Sequence, residues 1–237
     1  MPPIRNYSNW NQRAADIVEQ VEPYRKYFFI CEGENTETWY FETLINHRKE
    51  LGIHPLIDIC LLEKTEADST ISFPKHLIEF AETQKDNEDI QFDKNRDKMI
   101  VVFDADIFES KVTNYSEVLE LGQSYGDILA VTNPAYELFL LLHYPNSYEE
   151  LIVPNTEQIV KNEKQGKQTY IYHLLLEKSG MNSKRNPLIG ELAIQVDVAI
   201  QQEKKINQDI HKCKGTITSN LGAIIESIRA DSAPTNL

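Results

Sequence analysis

The sequence predicts an α/β fold with a mainly parallel central sheet flanked by helices and a C-terminal helical extension. Three observations carry the α/β class. Two short runs of aromatic and β-branched residues, Tyr27–Cys31 and Val101–Phe103, read as strands buried on both faces. Strand-like and helix-like segments alternate between residues 26 and 144. Beyond Pro145 the apolar spacing becomes helical throughout.

Taken in order, residues 10–22 have helical spacing and stop at Pro23, which predicts an N-terminal arm or helix within residues 1–25. Lys26–Cys31 is the first strand. A helix from Thr36 to Leu51 follows, with Trp39, Tyr40, Leu44 and Leu51 on one face and Gly52 as its stop. Pro55–Leu62 reads as a second strand, Phe73–Ala81 as a second helix, and the polar stretch Thr83–Asp97 as a solvated surface loop. Lys98–Phe103, Tyr115–Gly122 and Asp127–Thr132 continue the pattern as strand, short helix and strand. Asn133 and Pro134 then read as N-cap and first residue of a helix over Ala135–His143. An α/β domain over residues 26–144 follows, built of right-handed βαβ units.

In the extension, residues 145–237, helices are expected at Asn155–Gln165, Thr169–Ser179 with Gly180 as its stop, Ile189–Lys212 and Asn220–Arg229, and no strand. The longest carries a stripe of Ile189, Leu192, Val196, Ala199, Ile206 and Ile210, interrupted by Glu203. Such a stripe packs on the sheet domain or forms a seam with another subunit, so a homo-oligomer is one expectation.

Composition sets the outer limits. Cys31, Cys60 and Cys213 lie far apart without Cys-x-x-Cys spacing, which argues against a disulfide framework or a zinc site and for a reducing compartment. No apolar run approaches a membrane span, and Met1-Pro2-Pro3-Ile4-Arg5 lacks a signal core, so a cytoplasmic protein without membrane contact is expected. Residues 1–143 hold 13 Lys and Arg against 26 Asp and Glu, and so carry the whole net charge of −13. A polyanion would be repelled by that half unless cations neutralise it and basic groups of the second half guide the ligand.

The chemistry-bearing residues sit where strands end. Ligands of open α/β sheets bind outside the carboxyl ends of the strands, so Glu32 and the Asp104-x-Asp106 pair would meet there as hard oxygen ligands for Mg²⁺ or Mn²⁺. On an ideal strand Asp104 and Asp106 face the same way, and Gly33 lets the chain turn after Glu32. Glu37, in the first turn of the next helix, is either a dipole-favoured acid or a further ligand. Glu137, placed among Tyr136, Leu138 and Phe139, needs a partner, which a metal would supply. His143 is either a core histidine or a phosphate contact. Lys161, Lys164, Lys167, Lys184 and Arg185 are candidate phosphate contacts, with a solvated charged face as the alternative. His-Glu-x-x-His, Walker, Gly-x-Gly-x-x-Gly and Gly-x-Ser-x-Gly motifs are all absent, which leaves metal–carboxylate chemistry.

Ile30-Cys31-Glu32-Gly33-Glu34-Asn35-Thr36-Glu37-Thr38-Trp39-Tyr40-Phe41, Phe103-Asp104-Ala105-Asp106 and the block from Asn133 to Tyr144 together resemble the RloB/AbiLii family. That family is similar to the Toprim domains of topoisomerases, primases and OLD-type nucleases. The resemblance places the Toprim glutamate and Asp-x-Asp on Glu32, Asp104 and Asp106. This chain has Ala105 where an arginine is common and Ile107 where an acid is common. The resemblance implies metal-dependent cleavage of DNA or RNA, tRNA included, with one or two ions. It also implies a role as the toxic effector of abortive infection against phage, beside an ABC-type ATPase. Two other readings stand next to it: a non-catalytic Toprim-like sensor or regulatory subunit of such an ATPase, and a HAD-like phosphotransferase with Asp104 as nucleophile and Asp106 as acid/base.

Overall fold

The alternation of apolar positions along the central strands explains the architecture. In β1 (Arg25–Cys31) the side chains of Tyr27, Phe29 and Cys31 enter one hydrophobic cluster and those of Phe28 and Ile30 another, so both faces of the strand are covered. A computed structural model describes residues 23–62, 64, 73–110 and 113–231; the helix expected over residues 10–22 lies outside them. The chain continues through α1 (Thr36–Asn46), β2 (Ile57–Leu62), α2 (Pro74–Lys85), β3 (Lys98–Asp104), α3 (Asp106–Ser110), α4 (Tyr115–Ser124), β4 (Ile128–Asn133) and α5 (Glu137–Leu141). After a π turn and a 3-10 turn over residues 148–155 come α6 (Thr156–Lys161), a small hairpin of β5 (Lys164–Gln165) and β6 (Gln168–Thr169), and α7 (Tyr170–Ser179). A 3-10 segment (Pro187–Gln195), α8 (Val196–Glu203), β7 (Thr218–Ser219) and α9 (Leu221–Ala230) complete it. The five-stranded sheet has the order β2-β1-β3-β4-β7, parallel except where β7 runs antiparallel to β4.

The first-half elements fall where the sequence places them, apart from the unforeseen α3, with three further differences of physical interest. The first helix ends at Asn46, and turns carry the chain to Gly52, whose φ of 78° suits a residue without a side chain. The supposed surface loop from Thr83 begins as the last turn of α2. It also holds two buried charges: Lys85 pairs with Asp127 at 2.6 Å, and Asp97 accepts the Lys26 amide at 2.8 Å. Asn133 is not a helix cap. It ends β4, the Asn133–Pro134 peptide is cis, and the buried Asn133 amide donates to Glu109, Cys213 O and Thr216 O; α5 starts four residues later, at Glu137 itself.

The second half departs further. The expected helix over Ile189–Lys212 is a 3-10 segment, then α8, then a loop, because the buried Ile189, Ala193, Val196 and Ala199 follow the packing of α1 and α5 rather than one continuous helical face. Strands are present there as well: β5–β6 interrupts the helix expected at Asn155–Gln165, and β7 joins the central sheet. One cluster therefore contains Phe29, Tyr40 and Phe41 together with Ile189, Val196, Leu221 and Ile225. The start of β1 and the end of α9 are clasped by Asp231, which accepts from Tyr24 and, at 2.7 Å each, from Arg25 Nη1 and Tyr27.

The 3-10 segment can lie on α1 only because Gly190 has no side chain: a Cβ there would stand 2.4 Å from the carbonyl oxygen of Trp39. Gly190→Ala is accordingly expected to force these elements apart at a cost of about 1–3 kcal/mol. In a chain of this size that lowers the melting temperature by roughly 2–4 °C per kcal/mol. Thermal denaturation followed by circular dichroism checks it, and an unchanged midpoint would count against a rigid contact.

Candidate functional site

Three of the parallel strands, β1, β3 and β4, deliver their carboxyl ends to one crevice. Glu32, the residue after β1, turns its side chain so that Oε2 accepts the backbone N–H of Asp104 at 3.1 Å, although 72 positions separate them in sequence. Glu32's own amide donates to Val102 O at 3.0 Å, which fixes its backbone beside β3. Asp104, the last residue of β3, accepts the Thr132 hydroxyl from β4 at 2.7 Å. It points to the sheet face that carries α1 and α5, where Glu37 and Glu137 are 5% and 3% exposed. Glu137 Oε1 accepts from Ser183 Oγ at 3.2 Å and pairs with Lys184 Nζ at 3.0 Å.

Asp106 differs from the sequence expectation. The strand ends at Asp104 and Asp106 opens α3, exposed, so strand alternation does not align the two aspartates. Its charge still acts on Glu32. Gly33 also serves differently from expectation: its φ is not left-handed, and its missing side chain makes room for the Glu37 carboxylate, which a Cβ would meet at 2.1 Å.

Electrostatics follow from packing acids this closely. Burial pushes the Glu32 carboxyl up to about 7; the Asp104 amide pulls it down, Glu37 and Asp106 push it further up, and Lys64 opposes them. Burial, then the charges of Glu32, Glu37 and Glu137, hold Asp104 well above the usual carboxylate range against the Thr132 hydrogen bond. Burial also raises Glu37, with Lys184 acting against it. Burial disfavours the Lys184 ammonium, yet Glu137, Glu37 and Asp104 outweigh burial and keep it above its ordinary value. Lys184 thus brings a positive charge into a group of acids that repel one another.

The donor set is all oxygen, and the buried Glu37 Oε2 has no hydrogen-bond partner among the described residues, which is the chemistry a hard divalent cation satisfies. Glu32, Asp104, Asp106, Glu37 and Glu137 are the residues that could hold one. In the arrangement described, Glu137 is engaged by Lys184 and Glu32 by the Asp104 amide, and among the described residues no three acidic, His or Cys side chains form a metal-holding group as they stand.

Other expected residues lie elsewhere. His143 is 1% exposed, its Nδ1 donates to Phe139 O at 2.9 Å, and its Nε2 therefore accepts the Tyr40 hydroxyl at 3.0 Å. Burial, opposed by contacts with the Phe139 and Leu140 backbone, lowers it to about 4, so it is a neutral core histidine and not a phosphate contact. Lys161 pairs with Glu157, and Lys164 and Lys167 belong to the hairpin, whose hydrogen bonds among the described residues stay within residues 155–173. Lys184 reaches the crevice and Arg185 adjoins it in sequence. Lys64, Thr132 and Ser183 were not foreseen; Lys64 Nζ donates to Glu32 O at 2.5 Å. A lone lysine after β2, or a hydroxyl on a strand, has no spacing that marks it in the sequence.

Residues 27–228 match the family of RloB-like proteins, well past the three blocks that suggested it. The chain belongs to the RloB-like family. No curated protein and no solved structure matches it. The family match takes in all of the five-stranded sheet but the first two residues of β1, the loop bearing Ser183 and Lys184, and most of α9, so the RloB-like unit includes the second half that brings Lys184 to the crevice. Among the described residues no helix is long and apolar enough to cross a membrane.

Proposed function

We propose that this RloB-like chain is a metal-dependent nuclease with a Toprim-like site, hydrolysing phosphodiester bonds in DNA or RNA. In this reading it is the effector of an anti-phage abortive-infection system that works with an ABC-type ATPase. The single observation that supports the chemistry best is the seating of Glu32 on the Asp104 amide beside two buried acids, an arrangement that strains against its own charge without a cation.

Glu32, Asp104 and Asp106 would hold Mg²⁺ or Mn²⁺, with Glu137 and Glu37 completing the oxygen set, and a bound ion would supply the Lewis acidity that phosphodiester hydrolysis needs. Thr132 orients Asp104. Glu32, shifted up to about 7, is matched to accept a proton from an attacking water near neutral pH if it is not itself a ligand. Lys184 keeps its proton and can leave Glu137 for a phosphate oxygen.

The direct test is incubation of the purified chain, alone and with its ATPase, with plasmid DNA and with total RNA in Mg²⁺ or Mn²⁺. Cleavage that EDTA abolishes is expected. Absence of cleavage in every arm, with Mn²⁺ bound, would favour a sensor or regulatory subunit. A pH experiment tests the cation site without activity. Because the folded pKa of Glu32 is raised, the stability its proton contributes is complete below the ordinary glutamate value and is lost as pH rises through about 7. In EDTA the melting temperature should fall between about pH 5 and pH 7 and level off above that, and saturating Mn²⁺ should abolish that fall. A flat profile in EDTA would mean that the acids do not strain one another.

A further inference from the structure

We propose that the loop His211–Gly215 is a phosphate-binding wall of the crevice, so that a polynucleotide strand passes over the carboxylates between two basic loops on opposite faces of the sheet. This rests on the nuclease reading of the crevice. The loop with Lys184 and Arg185 is tied to the α1 face, where Ser183 O accepts the Thr36 hydroxyl at 2.9 Å. The loop His211–Gly215 is tied to the other face. Its Cys213 is buried in the cluster that contains Phe103, Ala105, Phe108 and Leu119, while His211, Lys212 and Lys214 on either side are exposed. Lys214 borders a small pocket together with Ala105, Phe108 and Glu109, so it stands beside the Asp-x-Asp turn itself.

This loop is anchored more firmly than a connection from α8 to β7 requires. Asn133, at the carboxyl end of β4, donates to Cys213 O at 3.0 Å and Thr216 O at 2.8 Å. Gly215 N donates to Glu109 Oε1 of α3 at 2.6 Å, Tyr115 OH donates to Ile210 O at 2.8 Å, and Asn207 Nδ2 donates to Lys212 O at 3.1 Å. The lysines are thereby positioned relative to the strand ends that carry Asp104 and Thr132. Their charge is also available. Lys204 and Lys205 are engaged by Glu226 and Glu149, whereas Lys212 shares an exposed (i, i+3) pair with Asp209, of the kind that contributes little, and Lys214 has no ion-pair partner among the described residues. Lysine is a point charge that grips phosphate without reading bases, so the ligand class is the sugar-phosphate backbone of DNA or RNA irrespective of sequence.

The test uses the full chain carrying Asp104→Asn, so that substrate survives, and a short fluorescein-labelled oligonucleotide of mixed sequence as DNA and as RNA. Fluorescence anisotropy over a range of salt is compared for the parent, Lys212→Glu/Lys214→Glu, Lys212→Arg/Lys214→Arg, and Lys164→Glu/Lys167→Glu on the hairpin. The Glu pair is expected to weaken binding about tenfold or more and to reduce the salt slope by roughly one to two. The Arg pair should retain parental affinity and the hairpin pair should change it little. Should the Glu pair melt lower than the parent, Lys212→Gln/Lys214→Gln replaces it, with a smaller loss in the same direction. Parental affinity and slope in the charge-altered variants would overturn the proposal, as would a loss with the Arg pair equal to that with Glu, which would assign the loop to shape. An oligonucleotide that the parent binds through these lysines but the wild-type chain never cleaves would leave the wall standing and remove the nuclease reading.

Discussion

Asp104→Asn is expected to abolish cleavage while leaving the fold intact, with a melting temperature in EDTA equal to or above that of the wild type. Asp104 lies where β3 ends, between the Glu32 carboxylate and the buried pair Glu37 and Glu137, and burial together with those charges already resists its ionisation. Asparagine keeps an Oδ1 for the Thr132 hydroxyl and removes the charge, so in the absence of metal the substitution relieves repulsion. Each ~1 kcal/mol relieved would raise the midpoint by roughly 2–4 °C in a chain of this length. With Mn²⁺ the order reverses, because the wild type gains stability from the bound ion and the variant gains less. Loss of activity should exceed the roughly 10–100-fold that removal of an outer-shell partner costs a metal site. Cleavage assays, titration calorimetry with Mn²⁺ and melting with and without EDTA read the three consequences separately. A midpoint several degrees lower in EDTA would make Asp104 a structural residue. Undiminished cleavage would move the chemistry out of this crevice.

What the sequence made legible was whatever a short period encodes. β1, β3 and β4 announce themselves as apolar runs too short for helices, and the residues at their carboxyl ends, Glu32, Asp104 and Thr132, come together because parallel strands in adjacent registers end at the same edge. The second half was opaque for the complementary reason. β7 is two residues long, Thr218 and Ser219, and its place beside β4 is set by tertiary hydrogen bonds, including those of Asn207 and Asn220, that leave no periodic trace. The three-four stripe from Ile189 to Ile210 looked like one helix because a 3-10 segment and an α-helix bury residues at similar spacing over short distances. Lys184 was legible as a candidate phosphate contact or a surface charge but not as the partner of Glu137, which stands 47 residues earlier, and the loop that brings them together has no motif of its own.

Glu203→Ala should be among the most destabilising single changes in the chain. Glu203 interrupted the predicted apolar stripe, and the structure supplies the reason: it is fully buried at the end of α8 beneath the first turn of α9. Its Oε1 accepts the Ser219 hydroxyl at 2.5 Å and the Gly222 amide at 2.9 Å, and its Oε2 accepts the Ala223 amide at 2.8 Å and Gln208 Nε2 at 3.2 Å. The carboxylate thus satisfies amides that a helix N-terminus leaves open, and it lies at the favourable end of the helix dipole. Alanine would orphan those donors in a dry site and leave a cavity, a combination that costs about 3–5 kcal/mol. A fall in the melting temperature of about 10 °C follows at this chain length. Glu203→Gln should cost less, and its cost should depend on pH. Burial raises the Glu203 carboxyl in spite of its four hydrogen bonds, so the stability its proton contributes is present at low pH and is lost as pH rises through the folded value. Measured against the wild type, the glutamine variant should therefore lose more near pH 5 than near pH 8, and the opposite trend would mean that the ionised carboxylate is the preferred form. Since Ser219 belongs to β7, a few residues beyond the loop with Lys212 and Lys214, loosening this anchor should also weaken nucleic-acid binding at temperatures where the sheet is still folded. Hydrogen exchange of α9 and β7 ahead of β1 and β3 would show that order of release.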